Sequence, residues 1–331
     1  LGYKRVIIQD STVIRLPARL FAEYSGVANG KQAVCNARIQ VVYDVLAEQF
    51  ISFSIDPYSK NDLKAAPELV LQPGDLVLRD RGYLITDEIQ RHLDKGADCI
   101  YRHKHKTSYI DPETGTPLDL AALLERHGSL DIEVCLNNET RTPVRLVAAP
   151  VDEETANLRR MKLKKEAHGH SPSAENLKLM SWSIFVTTID KATLSFEELL
   201  ACYGIRWRIE TIFKAWKSNM HFAAVHNVSA IQLRVILTAR LAMAVVLTTF
   251  VYKPARARIR SKFGRELSLS KVIRYVTKTL HKLPEILVAL HKTEGSDPVL
   301  NSLAKYCSYD KRKRRNFNLE MERLMTELAL G

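Results

Sequence analysis

An α/β fold is what this sequence predicts: a sheet flanked by helices, interrupted by a β-rich insertion and followed by a helical C-terminal region. Three observations predict it. Short runs rich in Val, Ile, Phe and Tyr alternate with helix-spaced segments through the first part of the chain, the rhythm of a sheet with helical crossovers. From Ser195 onward the apolar spacing becomes helical and stays so. At 46% hydrophobic and 26% charged residues, the composition is globular and excludes disorder as the main state.

The elements follow in order. Val6-Ile7-Ile8-Gln9-Asp10 is an apolar run ending in an acid, and residues 34–45 and 49–55 are two further strand-like runs. Asp56-Pro57 and Ser59-Lys60-Asn61-Asp62 carry turn and helix-cap signals. Leu76-Val77-Leu78-Arg79-Asp80 is a second run ending in an acid, with Gly82 marking the turn. Residues 85–93 have helical spacing, Gly96 closes that helix, and 97–101 read as another strand. The order is therefore β-β-β-α-β-α-β, with two acids at strand C-termini, the edge where open α/β sheets bind ligands.

Residues 105–180 change character, and four segments result: 1–104, 105–180, 181–252 and 253–331. The second holds the turn Asp111-Pro112-Glu113-Thr114-Gly115, a strand pair near 132–136 and 144–148, and a basic exposed loop with Arg159, Arg160, Lys162, Lys164 and Lys165. A strand at 183–189 resumes the core, followed by a helix over 195–220 and another over 229–252. The longest apolar stretch, residues 241–252, falls short of the roughly 20 needed to cross a bilayer. A buried helix is expected there, and no membrane partner. Beyond Lys253 the chain is helical and basic, with six Lys or Arg and no acid in 253–265 and five consecutive bases from Lys311 to Arg315.

With 49 Lys and Arg against 37 Asp and Glu, the formal charge is +12, which favours a polyanionic partner such as nucleic acid. The five cysteines are scattered, odd in number and form no C-x-x-C, which argues against a disulfide framework and for a reducing cytoplasm. No G-x-x-x-x-G-K-[ST] loop supports an ATPase, and no G-x-S-x-G supports a serine hydrolase. The pairs His103/His105 and His168/His170 lack the further ligands of a metal site.

One helix concentrates chemistry. At 100° per residue, Tyr203, Arg206, Glu210 and Lys217 share a stripe about 60° wide. Beside it Ile205, Ile209, Ile212, Phe213 and Trp216 form an apolar face that can bury. A lone acid among bases can hold a metal while its neighbours hold phosphates; the plain alternative is an i,i+4 ion pair worth a few tenths of a kcal/mol. Asp10 and Asp80 have their own plain alternative as turn caps.

Tyr203-x2-Arg206-x3-Glu210-x6-Lys217, within Arg206-Trp207-Arg208-Ile209-Glu210 and Lys214-Ala215-Trp216-Lys217, resembles the signature of the insertion sequence family four transposases, in particular their hairpin-forming members. Asp10 in Gln9-Asp10-Ser11-Thr12 and Asp80 in Asp80-Arg81-Gly82-Tyr83 look like that family's first and second catalytic acids. The resemblance implies a ribonuclease-H-like mixed sheet and an Asp10, Asp80, Glu210 triad. It implies Mg2+, with Mn2+ as a substitute: two ions, bridged by Asp10 and completed by Asp80 and Glu210. Water cuts one strand at a transposon end, the new 3′-OH makes a hairpin, and the end is joined to target DNA. Tyr203, Arg206 and Lys217 are implied phosphate contacts, and Trp182 a platform for a flipped base. Lys214 and the basic segment of Arg159, Arg160 and Lys164 are further expected DNA contacts, a solvated charge run being the alternative for that segment. Double-stranded DNA and a second copy of the chain are the implied partners, in a bacterial, nucleoid-associated cytoplasmic setting. Because Asp10 stands so near the start, the expectation is a catalytic region without its N-terminal DNA-binding domain. A ribonuclease-H-like nuclease without strand transfer, or an inhibitory DNA-binding fragment, are the competing readings.

Overall fold

The computed structural model describes residues 2–26, 34–60, 66, 68–167, 170–292, 298–309, 323–326 and 328–329. Strands β1 (Arg5–Arg15), β2 (Asn36–Asp44), β3 (Gln49–Pro57) and β4 (Asp75–Arg79) precede helix α1 (Thr86–Asp94) and β5 (Asp98–Arg102). Next come β6 (Tyr109–Ile110), α2 (Leu120–His127), β7 (Leu130–Leu136), β8 (Pro143–Pro150), α3 (Glu153–Glu166), α4 (Ala174–Leu179) and β9 (Trp182–Thr187). Helices α5 (Phe196–Gly204), α6 (Trp207–Asn219) and α7 (Ala230–Val245) follow. A π-helical stretch, Val246–Tyr252, leads from α7 into α8 (Lys253–Phe263), before α9 (Leu269–Lys278), α10 (Leu283–His291) and α11 (Pro298–Cys307). The strands lie in the order β3-β2-β1-β4-β5-β9-β8-β7-β6, a mixed sheet flanked by helices as the sequence predicts.

The chain divides into two compact units, Leu1–Ile8 with Leu69–Ile205 and Arg323–Gly331, and Gln9–Glu68 with Arg206–Glu322. In the first, β4 and β5 are parallel with Arg79 opposite Tyr101, and β5, β9, β8, β7 and β6 continue antiparallel. All five residues of β4 are buried, as expected for a strand covered on both faces. Its first, Asp75, carries a buried carboxylate that accepts from Arg5 at 2.8 and 2.5 Å.

Residues Arg159 to Lys165, expected as an exposed loop, lie instead in α3. Helix formers fill it, Asp152 caps it by accepting from the Thr155 amide at 2.7 Å, and Glu153 and Glu154 sit in the first turn with Lys164 and Lys165 in the last. That order complements the helix dipole, so a run that reads as merely charged is a well-terminated helix.

His92 of α1 sets an acid limit on this unit. Its ring is buried, edge-on to Tyr101 at 5.9 Å, with Nδ1–H on the Glu88 carbonyl and Nε2 without a partner. Burial pushes its pKa down from 6.5 to about 4. Because the folded value lies below the unfolded one, the contribution is fully present above pH 6.5 and lost as pH falls toward 4. The loss approaches about 3 kcal/mol at 1.36 kcal/mol per unit. Urea midpoints measured across that window should fall with acid, and His92→Gln should flatten the slope by about one proton.

In the second unit β2 and β3 form an antiparallel hairpin with a register shift between Val42 and Tyr43. Glu48, at φ 51° in its turn, is buried and accepts from Arg208 and, at 2.9 Å, from Arg256. Lys253 donates to the Ala47 carbonyl beside it at 2.6 Å. Helix α6 buries Ile209, Ile212, Phe213, Ala215 and Trp216, the apolar face that the wheel predicts.

The helical run from Ala230 to Phe263 is long and apolar enough, by length and composition, to cross a membrane, and a third of its apolar window is buried. Leu233, Leu237, Leu241, Ala244, Leu247 and Val251 form the buried stripe, while Phe250 is exposed. The expected buried helix over 241–252 is therefore buried on one side only. The cap signals at Asn61 and Asp62, His168, and the bases Lys311 to Arg315 lie outside the described residues.

Candidate active site

Asp10 lies inside β1 rather than at its end, because Ser11-Thr12-Val13-Ile14 keeps the strand going to Arg15. Gln9 before it is fully buried and Asp10 is half-buried. The expected helix over 195–220 is two helices. Gly204 weakens the end of α5, the Ile205 amide bonds back to Cys202 rather than to residue 201, and α6 begins at Trp207 with Arg206 as its first flanking residue. Arg206 thus stands one turn before Glu210.

That placement lets one guanidinium span two acids in the second unit. Arg206 Nη1 donates to Asp10 Oδ2 at 2.8 Å and Nη2 to Glu210 Oε1 at 2.8 Å. Side-chain exposure is 10% for Arg206, 19% for Asp10 and 28% for Glu210, so the pairing is shielded yet open to solvent at the carboxylates. About two turns further along α6 than Glu210, Lys217 Nζ donates to the Val13 carbonyl of β1 at 3.0 Å. The stripe Arg206, Glu210, Lys217 runs along this strand, as the wheel places it. Lys214 is exposed, its ammonium 5.4 Å from the centre of the Trp207 ring. Trp207 is 51% exposed; at about 40° on the wheel it falls off the apolar face.

In the first unit Asp80 follows β4 and opens the 3-10 turn Arg81–Tyr83, at a strand C-terminus as predicted. The Tyr203 hydroxyl reaches the Arg79 carbonyl at 3.4 Å and Asp80 Oδ1 at 3.5 Å, both long for hydrogen bonds. Its ring packs on Phe185 at 4.7 Å.

Trp182 is half-buried at the start of β9, with its indole N–H donating to the Gly128 carbonyl at 2.6 Å. Arg159 holds the Trp182 carbonyl and the Ser183 hydroxyl at 3.0 Å each. Arg160 spends its donors on Leu177, Glu153, Asn157 and Ser181, a helix-to-loop tie. Lys164 is exposed on α3.

Two bases escaped the sequence reading. Burial lowers the Arg159 pKa, and the charges of Arg102 and Arg81 lower it further. The register could have found Arg102: parallel pairing of Arg79 with Tyr101 makes Asp80 and Arg102 the next residues at the two strand ends.

Among the described residues no group of three or more His, Cys, Asp or Glu is gathered as a metal cage. Asp10 and Glu210 nonetheless fit a hard divalent ion in kind, being oxygen donors that already share one cation, the Arg206 guanidinium.

The fold and site together are those of an α/β domain whose mixed sheet carries one acid of a carboxylate pair on a strand and the other on a helix. The chain belongs to the family described as "Transposase DDE domain", whose model matches residues 2–247. It is 28% identical over 297 residues to the transposase for insertion sequence element IS231B of Bacillus thuringiensis subsp. berliner, covering 82% of this chain and 61% of that protein. It is 25% identical over 275 residues to the transposase for IS1151 of Clostridium perfringens, covering 76% and 58%. The chain spans about three fifths of the length of these relatives. A cryo-EM structure of the piggyBac transposase synaptic complex with hairpin DNA aligns with a TM-score of 0.45 at 9% identity, over 95% of this chain and 60% of that one.

Proposed function

We propose that this chain is the catalytic region of an insertion sequence family four DNA transposase that cuts transposon ends and joins them to target DNA. The observation that carries it is the meeting of Asp10 and Glu210 on one guanidinium across 196 residues of sequence from Asp10 to Arg206, within a chain of the transposase family. Asp10, Asp80 and Glu210 are the catalytic acids. Asp10 and Glu210 would hold a divalent ion, Mg2+ or Mn2+, with Asp80 as the third ligand; bound there, it supplies positive charge for the developing phosphoryl transition state.

The chain's own residues do the rest. Arg206 offers a planar fork for a phosphate and Lys217 a point charge. Tyr203 offers a hydroxyl beside Asp80. Trp182, its indole anchored on Gly128, offers a fixed face for a flipped base, where stacking contributes about 1–3 kcal/mol. Arg159, Arg160, Lys164 and Lys214 are further DNA contacts, and Arg159 also supports Trp182 and its strand. A hairpin intermediate, a homodimeric active complex and a cytoplasmic, nucleoid-associated setting complete the reading.

A nuclease with the same acids would hydrolyse but not join. Full-length protein given precut transposon-end duplex and Mg2+ should yield end-to-target joined products on a denaturing gel. Hydrolysis of that duplex with no joined product would favour the nuclease instead.

A further inference from the structure

Arg206 does more in this structure than wait for a phosphate. Its two terminal nitrogens donate to carboxylates of two different elements, Asp10 of β1 and Glu210 of α6, each at 2.8 Å. The guanidinium is 10% exposed, more buried than either acid. Two carboxylates side by side repel each other, and a shared cation removes that repulsion and holds both side chains in place. We propose that Arg206 is an internal stand-in cation, closing the Asp10–Glu210 pair in the DNA-free protein and yielding it only when a divalent ion and a DNA phosphate arrive together.

The chemistry of the exchange balances. The divalent ion takes the carboxylate oxygens that the guanidinium leaves, and the freed guanidinium takes a phosphate oxygen, so no charged group is left unpaired. Either arrival alone is penalised. An ion without DNA must break two charge-assisted bonds and strand a buried guanidinium. A phosphate without the ion pulls the arginine away and leaves two adjacent carboxylates. Metal binding and DNA binding are therefore coupled through one side chain, which keeps a strand-cutting centre closed when no substrate is present. The inference rests on the reading of Asp10 and Glu210 as metal ligands.

The test is Mn2+ binding to the full chain without DNA, followed by electron paramagnetic resonance of the free ion. If the closed pair dominates, apparent affinity is reduced by the fraction of open protein. Arg206→Gln should then tighten Mn2+ binding by about tenfold or more, with Arg206→Lys, which can reach one carboxylate at a time, in between. Asp10→Asn and Glu210→Gln should weaken it. Unchanged or weaker Mn2+ affinity in both arginine variants, with weakened binding in the acid variants, would overturn the stand-in role and leave the metal reading intact. Undiminished binding in both acid variants would overturn the metal reading and the inference with it. Thermal melts report whether each variant folds; should Arg206→Gln unfold, the Lys variant decides alone, a few-fold tightening supporting the role and no change overturning it.

Discussion

Glu210→Gln in the full-length protein should abolish Mg2+-dependent strand cleavage, by at least about 10³-fold, while leaving the fold intact. The substitution keeps an oxygen that can accept from Arg206 Nη2, which now lies at 2.8 Å from Glu210 Oε1, so α6 keeps its first-turn contact. It removes the negative charge that a hard cation requires. Asp10→Asn should lose activity to the same extent, because its carboxylate is the other half of the pair. The measurement is single-turnover nicking of end-containing duplex, with circular dichroism melts alongside. Cleavage within tenfold of wild type in both variants, with Mg2+ present, would remove these acids from the chemistry.

Trp216→Ala should destabilise the second unit by about 3–5 kcal/mol, the range for an aromatic deleted from a packed core. Trp216 is fully buried and packs against Phe50, Phe213 and Phe222 with ring centres 5.5–5.7 Å apart. No neighbour on that list is flexible enough to fill the space. Among the described residues its indole nitrogen has no hydrogen-bond partner, so the whole loss comes from volume and contact. Trp216→Phe should therefore cost much less than Trp216→Ala. Against a typical domain stability of about 5–15 kcal/mol, the alanine variant should show a lowered urea midpoint and a depleted folded fraction. Equal midpoints for wild type and the alanine variant would mean that this aromatic cluster does not support α6.

Much of the site was legible because its signals are local. The i,i+4 spacing of Arg206 and Glu210 is a helix property, and so is the apolar face Ile209, Ile212, Phe213 and Trp216 beside it. Asp80 after β4 follows from a run of apolar residues that must stop at a charge. The errors are instructive in the same terms. At Asp10 a charge interrupts an apolar run and so predicts a strand terminus, yet the β-branched residues after it continue the strand. The division of the expected helix over 195–220 into α5 and α6 leaves no local mark stronger than one glycine, Gly204. Arg159 and Arg160 read as free charge because their acceptors outside α3 are the carbonyls and hydroxyls of residues 177 to 183, which carry no sequence pattern.

By itself the sequence determined the α/β class, Asp80 at a strand end and the helix that bears Glu210, since periodicity and spacing are set by backbone geometry within a few residues. Only the tertiary structure decided that Arg206 faces two acids instead of one. A side chain from residue 10 reaches a helix that starts at residue 207 through strand placement in the sheet, and that is fixed by packing between distant segments rather than by any local propensity. The plain alternative for Glu210, an i,i+4 pair with Arg206, is present; Asp10 on the same guanidinium is what gives the pair a candidate site.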